Sequence, residues 1–200
     1  YLNKVRHELT PADIEKLATM TPYATGARIK DTVNEALINA IRDGREVINW
    51  IDIVKAKQMK EHGLADDFRY VDHERHAIAV HEACHAVTAA KLRSHLTVDV
   101  ATIERRGDVG GFVSSVPPED RFTHWRSEYD TDIQVSLASL AGERMLFEGD
   151  NSSGVGGDMP SATPTAPLIH APWAMGRTFT NHDVRRELGI GGGGGGGGQR

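Results

Sequence analysis

The sequence predicts a mainly α-helical protein, in which a small N-terminal helical bundle precedes a mostly helical domain with a short β-hairpin. Apolar residues recur at helical spacing through the first sixty residues and again between about residues 118 and 148. In between, residues 96–117 have the composition of two strands joined by a turn. Together these observations predict an α-rich architecture with one small sheet.

Helical periodicity and capping residues predict three helices within the first sixty residues, which as a whole have a helical pattern. Thr10 is the predicted N-cap of the first helix, with Pro11 at the first helical position. A second amphipathic helix is predicted to end at Gly44. The third begins after Asn49 as N-cap and stops at Gly63.

A polar stretch, residues 61–75, separates the bundle from the second domain. A helix is expected from about Glu74 to Lys91, then two strands around a turn at residues 106–111, then helix from about Pro118 to Glu148. Residues 149–160 are predicted to be a loop. Beyond it an Ala-rich helical pattern is interrupted by four prolines: Pro160, Pro164, Pro167 and Pro172.

Composition limits the classes of function. Hydrophobic content of 39%, charged content of 26% and a net charge of −5 are typical of a soluble globular protein. There is no basic stripe with interleaved aromatic residues, which argues against nucleic-acid binding. The single cysteine, Cys84, excludes an intrachain disulfide and suits a reducing compartment. The start without methionine and the Gly-rich end indicate a piece of a longer polypeptide.

Residues 81–85 read HEACH, which places two histidines four residues apart with a glutamate after the first. On a helix this spacing puts both imidazoles on one face, where they can reach one ion, and Zn²⁺ prefers nitrogen ligands at about 2 Å. Glu82 stands aside from the metal, where it can hold a water molecule that the metal acidifies and take its proton. His81 and His85 are therefore candidate zinc ligands and Glu82 a candidate general base of a metallopeptidase.

Such a pattern also arises by chance, but an apolar helix is a costly place for these three side chains without a purpose. A catalytic zinc needs a third protein ligand. Thr88 occupies the glycine position of the metzincin pattern, and no histidine follows at the metzincin spacing. Glu143 on the later helix and Asp158 in the glycine-rich segment are the two candidates, and spacing alone does not separate them.

Four segments, HEACHAV, TIERRGDVGGFVSSVPPED, SLASLAGERMLFEG and SSGVGGDMPSAT, resemble in order the peptidase domain of the FtsH family. These are membrane-associated AAA+ zinc proteases of the M41 type. The segment TPYATGARIKDTVNEALINAIRDGR is similar to the small helical lid of the family's AAA+ module. The resemblance covers roughly residues 1–178.

The resemblance implies that His81 and His85 bind zinc, that Glu82 is catalytic and that Asp158, rather than Glu143, completes the metal site. It also implies that residues 111–116 form an edge strand to which an unfolded substrate adds as a β-strand. The implied domains are a lid at residues 1–65, a zincin-type peptidase domain at 66–190 and a Gly-rich tail at 191–200.

Three departures from the family pattern stand out. Cys84 replaces the glycine of HEAGH, and we interpret it as a small buried hydrophobic residue. Arg28 stands where the lid motif has an acidic residue. The four prolines after Asp158 fall where the family has a continuous helix, and an interior proline costs about 3 kcal/mol. We therefore expect either a broken helix or a less rigid metal site.

The implied function is an ATP-dependent zinc metalloendopeptidase that degrades unfolded or damaged proteins. No GxxxxGK[ST] loop occurs in the sequence, so ATP would be bound by an ATPase core outside it. The resemblance implies a homohexamer that faces the cytoplasm and is attached to the membrane through upstream segments. One alternative is a catalytically degenerate M41-like domain serving as an assembly platform. Another is an ATP-independent zincin with an unrelated helical front domain.

Overall fold

The computed structural model describes residues 1–119 and 121–177. After a short 3-10 turn at Leu2–Lys4, the described elements follow in the order α1 (Pro11–Met20), α2 (Gly26–Arg42), α3 (Trp50–His62), α4 (Asp72–Leu92), β1 (Thr97–Thr102), β2 (Phe112–Val116), α5 (Arg126–Ser136), α6 (Ala138–Leu146) and α7 (Val155–His170). The predicted mainly helical fold with a two-stranded sheet is confirmed.

The predicted starts of α1 and α3 are confirmed by their capping geometry. The Thr10 hydroxyl accepts a hydrogen bond from the Asp13 backbone N–H at 3.2 Å, while the Asp13 carboxylate accepts from Thr10. Asn49 and Asp52 form the same reciprocal pair at the start of α3. Gly63 ends α3 with a φ of 84°, a left-handed value that glycine adopts without strain.

The expectation of helix throughout the first sixty residues is wrong in the connecting segments. His7 and Ile48 form a parallel β-bridge, in which the Ile48 carbonyl accepts a hydrogen bond from the Glu8 N–H at 3.0 Å. This bridge brings the segment before α1 against the segment before α3. It closes the bundle over a core of buried apolar residues: Leu9, Leu17, Val33, Ala36, Ile48, Ile53 and Ala56.

Helix α4 carries the HEACH segment, and the hairpin packs along it. The sheet is antiparallel, with Thr102 opposite Phe112 and Thr97 opposite Val116. The register shifts between Val98 and Val100, so the intervening Asp99 occupies a β-bulge. Because β1 returns from the C-terminal end of α4, β2 runs in the direction of α4.

The helix predicted from Pro118 begins only at Arg126, and residues 118–119 and 121–125 are not helical. The side chain of Glu128 accounts for this start. It accepts a hydrogen bond from the Trp125 backbone N–H at 3.0 Å and pairs with Arg121 at 2.7 Å, which holds the preceding segment outside the helix.

In the C-terminal segment the predicted loop is wrong in part, and of the two alternatives for the proline-rich part the broken helix is wrong. The predicted loop at 149–160 ends early, since α7 starts at Val155, and the helix continues through Pro160, Pro164 and Pro167 to His170. The three prolines remove three backbone N–H donors from this helix. Packing of α7 against α5, where Ile169 is 1% exposed, stabilises the helix despite this loss. Pro172 lies beyond the helix end.

The bundle and the second domain meet through charged and aromatic contacts. The Lys57 ammonium, on α3, donates hydrogen bonds to Asp99 in the β1 bulge and to Glu61 at 2.6 Å. The ring of His62 lies 4.3 Å from that of Phe112 on β2. The end of α3 is thereby joined to both strands of the hairpin.

Within the described part of the chain, no helix combines the length and apolar character needed to cross a bilayer.

Candidate metal centre and active site

Helix α4 brings His81 and His85 onto one face, with their ring centroids 4.9 Å apart. Their Nε2 atoms are separated by 3.3 Å. Asp158, in the first turn of α7, reaches the same point, with Oδ2 at 3.2 Å from Nε2 of His81 and 3.1 Å from Nε2 of His85. The structure thus gathers three of the four side chains predicted from the sequence around one centre.

The outer nitrogen of each imidazole has its own acceptor. Nδ1 of His81 lies 2.7 Å from Oε1 of Glu143, and Nδ1 of His85 lies 2.7 Å from the carbonyl oxygen of Val135. A carbonyl can only accept, so His85 carries a proton on Nδ1, and a carboxylate on His81 favours the same tautomer. Both Nε2 atoms face Asp158, and because Nδ1 keeps its proton, each Nε2 can give up its own proton and serve as a metal ligand.

Glu143 does not approach this centre, although spacing alone made it an equal candidate for third ligand. Its carboxylate is fully buried and also accepts hydrogen bonds from the backbone N–H and the hydroxyl of Ser152. Burial opposes ionisation, but these bonds and the contact with His81 keep the pKa of Glu143 below its ordinary value. The carboxylate orients His81 from behind.

The carboxylate of Asp158 is fixed by Ser139, a fully buried residue on α6 whose hydroxyl donates to Oδ2 at 2.6 Å. Burial opposes its charged form, yet hydrogen bonds with His81, His85 and Ser139 hold the pKa of Asp158 well below its usual range. For His81 burial lowers the pKa, but hydrogen bonds to Asp158 and Glu143 prevail and raise it to about 9 without a metal ion. No sequence signal identified Ser139.

Glu82 is 8% exposed and lies beside the hairpin, at the edge of the histidine pair. Burial raises its pKa, against the opposing effect of His81 and His85. Gly111 provides the space for this carboxylate, because a Cβ there would lie 2.8 Å from Cγ of Glu82. Glu82 is thus held next to the metal centre without being drawn into it.

Cys84 packs on α6, against Gly142. A Cβ at Gly142 would lie 2.0 Å from its Sγ, so the thiol occupies space that only glycine leaves open. The departure from the HEAGH pattern is therefore matched by a glycine on the facing helix. The sequence showed Cys84 but gave no sign of this partner.

The centre opens into a cleft of about 500 Å³. One wall runs along α4 from Ile78 to Arg93, the residue directly after the helix, and the other includes the hairpin from Asp108 to Val113. Two imidazole nitrogens and one carboxylate oxygen form the donor set of a catalytic zinc site, which uses three protein ligands and keeps one position open. The oriented Nε2 atoms and the Asp158 carboxylate fit a zinc ion, with the cleft beside it.

Comparison with known proteins agrees with this geometry. Residues 69–192 match Peptidase family M41, and residues 11–55 match an AAA+ lid domain. The chain is 34% identical over 168 residues to ATP-dependent zinc metalloprotease FtsH 2 of Sphaerobacter thermophilus, covering 84% of this chain and 26% of the relative. It is 35% identical over 161 residues to ATP-dependent zinc metalloprotease FtsH of Acholeplasma laidlawii, covering 80% of this chain and 25% of the relative.

The chain thus spans about a quarter of the length of these curated relatives. The family match covers the helix with both histidines, the hairpin and the helix with Asp158, which are the elements that build the metal centre. On this evidence the chain belongs to peptidase family M41 and is similar to part of the FtsH-like AAA+ zinc metalloproteases.

Proposed function

We propose that this chain is the lid and peptidase part of an ATP-dependent zinc metalloendopeptidase that degrades unfolded or damaged proteins. The observation that carries the proposal is the convergence of His81, His85 and Asp158, with both histidines bonded through Nδ1 so that Nε2 is free for zinc. These three residues would hold the ion. Zn²⁺ would supply Lewis-acid chemistry for attack of water on a peptide carbonyl.

Glu82 is proposed as the general base. Its carboxylate would accept a proton from the attacking water at an Oε atom and pass that proton to the nitrogen of the leaving amine. Its position beside the histidine pair, with only 8% of the residue exposed, suits both steps. Gly111 lets the hairpin backbone approach this carboxylate closely.

The strand β2 is proposed to hold the substrate. Within the described residues it pairs only with β1, so its other edge offers backbone donors and acceptors. A polypeptide added there would be bound through its main chain, largely regardless of its sequence, which suits unfolded substrates. The adjoining cleft reaches from this hairpin to the metal centre.

The assembly is proposed by similarity to the FtsH relatives. We infer a homohexamer whose ATP-binding core lies outside this sequence, with the full-length protein facing the cytoplasm and attached to the membrane. The proposed domains are the lid at 1–65, the peptidase at 66–190 and the Gly-rich tail at 191–200, the last of which lies outside the described residues.

The test is peptide hydrolysis by the zinc-loaded chain, and casein degradation with ATP by the full-length product. Glu82→Gln should keep about one zinc per chain and lose at least 100-fold in cleavage rate, whereas His85→Ala should lose both zinc and activity. If wild type binds zinc but cleaves nothing in the ATP-supplied full-length protein, the catalytically degenerate assembly platform is the better account. An active Glu82→Gln variant removes Glu82 from the mechanism.

A further inference from the structure

The cleft beside the metal centre has opposite charges at its two ends. Asp108 lies on the hairpin turn, and the turn sits near Ile78, since a Cβ at Gly110 would lie 3.7 Å from Cδ1 of Ile78. Arg93 lies at the far end of α4. Arg93 follows Ile78 by 15 positions, which corresponds to a rise of about 22 Å along the helix. The cleft therefore has an acidic end and a basic end, with the metal centre between them.

Arg93 is held in a way that leaves part of its guanidinium available. Its Nε donates to Oδ1 of Asp132 on α5 at 2.8 Å, and its side chain is 18% exposed. Among the described residues, neither of its terminal Nη groups has a hydrogen-bond acceptor. His95, the other titratable neighbour, is buried with Nε2 3.7 Å from the same Oδ1. Asp132 fixes the guanidinium plane, and the Nη edge remains for a ligand.

Resting on the proposed function, we propose that Arg93 is a specificity-determining residue that binds an acidic side chain of the substrate. The Nη edge of a guanidinium matches the two oxygens of a carboxylate. Arg93 follows His85 by eight residues, a helical rise of about 12 Å. An extended peptide covers this in three to four residues at about 3.3 Å each, which sets the distance of the acidic residue from the scissile bond.

Asp108 contributes to the same preference by disfavouring acidic residues at the other end of the cleft. It is exposed at the opposite end of the cleft, where it repels an acidic substrate residue. A substrate should therefore bind more tightly when its glutamate lies on the Arg93 side of the cut, and less tightly when its glutamate lies on the Asp108 side. Because Asp132 already offsets part of the charge of Arg93, the preference should be moderate, about threefold to tenfold in Kd.

The test uses the zinc-loaded Glu82→Gln chain, so that binding is measured without cleavage. Fluorescent peptides with blocked ends, identical except for Glu or Gln at one position, are titrated by anisotropy, and wild type is used separately to map the cut by mass spectrometry. The Glu peptide should bind about threefold to tenfold more tightly when its Glu lies three or four residues from the cut on one side. Failure of wild type to cleave would contradict the proposed function, whereas the comparison of Glu with Gln at each peptide position still tests Arg93 without reference to a cut.

Two further substitutions separate ligand binding from a structural role. Arg93→Gln should abolish the Glu preference, while Lys91→Gln, which removes an exposed positive charge two residues away, should keep it. Asp132→Asn breaks the same ion pair as Arg93→Gln but leaves the guanidinium charge, so it should keep or strengthen the preference. Equal affinity for both peptides at every position, or an unchanged preference in Arg93→Gln, would overturn the proposal.

Discussion

Oε1 of Glu143 lies 2.7 Å from Nδ1 of His81, on the side of the imidazole turned away from Asp158. The two carboxylates that the sequence left as rivals thus occupy opposite sides of one histidine. Glu143 determines which nitrogen of His81 faces inward, and Asp158 faces that nitrogen.

This arrangement predicts that Glu143→Gln weakens zinc binding without removing it. The amide oxygen can still accept from Nδ1, but the negative charge that raises the basicity of His81 is lost. We expect about a 10- to 100-fold rise in the zinc Kd, measured by competition with a chelator. Glu148→Gln, an exposed change just after α6, is the matched control. An unchanged Kd in Glu143→Gln would mean that this carboxylate only supports packing.

The contact between Cys84 and Gly142 predicts a compensating pair. Gly142→Ala alone places a methyl group into the thiol and should lower the free energy of unfolding by about 1–3 kcal/mol. In a Cys84→Gly background the same change should be neutral or stabilising, because alanine is favoured over glycine in a helix by about 1 kcal/mol. Urea unfolding of the four variants measures the coupling. Additive effects of the two substitutions would show that the Cys84 thiol and a methyl group at position 142 do not compete for this space.

Much of the fold and most of the site follow from local signals. Each cap, at Thr10 and at Asn49, depends on a second residue only three positions later, and the histidine pair lies within about one turn of helix. Both features could therefore be predicted from short stretches of sequence. The helical state of α7 was not, since proline propensity argues against it and only packing on α5 sustains it. Ser139 could not be found either, because a buried serine leaves no pattern until its partner is in place.

The pairing of Asp52 with Arg45 predicts an acid-sensitive bundle. The Arg45 guanidinium donates to both carboxylate oxygens, at 2.7 and 2.8 Å, and these bonds hold the pKa of Asp52 below its ordinary value. Because the folded-state pKa is the lower one, the stabilisation is full above the unfolded-state value of about 4 and is lost as the pH falls below it.

Asp52→Asn should therefore destabilise the bundle at pH 7, by about 1.5–3 kcal/mol, and the difference from wild type should shrink below pH about 4. Thermal unfolding between pH 2.5 and 7 measures this. Asp43→Asn, which removes a half-exposed partner of the same arginine, should have a much smaller effect at every pH. A pH-independent difference for Asp52→Asn would point to lost capping of α3 instead.

The Lys57–Asp99 pair predicts that the bundle and the peptidase domain unfold together. Both side chains are almost fully buried at the junction, so Lys57→Met leaves the Asp99 carboxylate without its counter-ion. Removal of one partner of a buried pair costs about 3–5 kcal/mol, whereas replacing both with apolar residues is often neutral. Lys57→Met should thus lower stability strongly, and adding Asp99→Leu should restore most of it.

The readout for this last pair is hydrogen exchange of α3 and β1 alongside denaturant unfolding. In wild type the amides of the two elements should exchange with the same free energy of opening. In Lys57→Met the amides of both elements should exchange faster, and in the double variant both should return towards the wild-type rates. Lys60→Met is the matched control, since Lys60 lies on the same helix and is exposed. Loss of protection in α3 with none in β1 would show that the ion pair serves the bundle alone. In that case the contact between His62 and Phe112 would be left as the link to the hairpin.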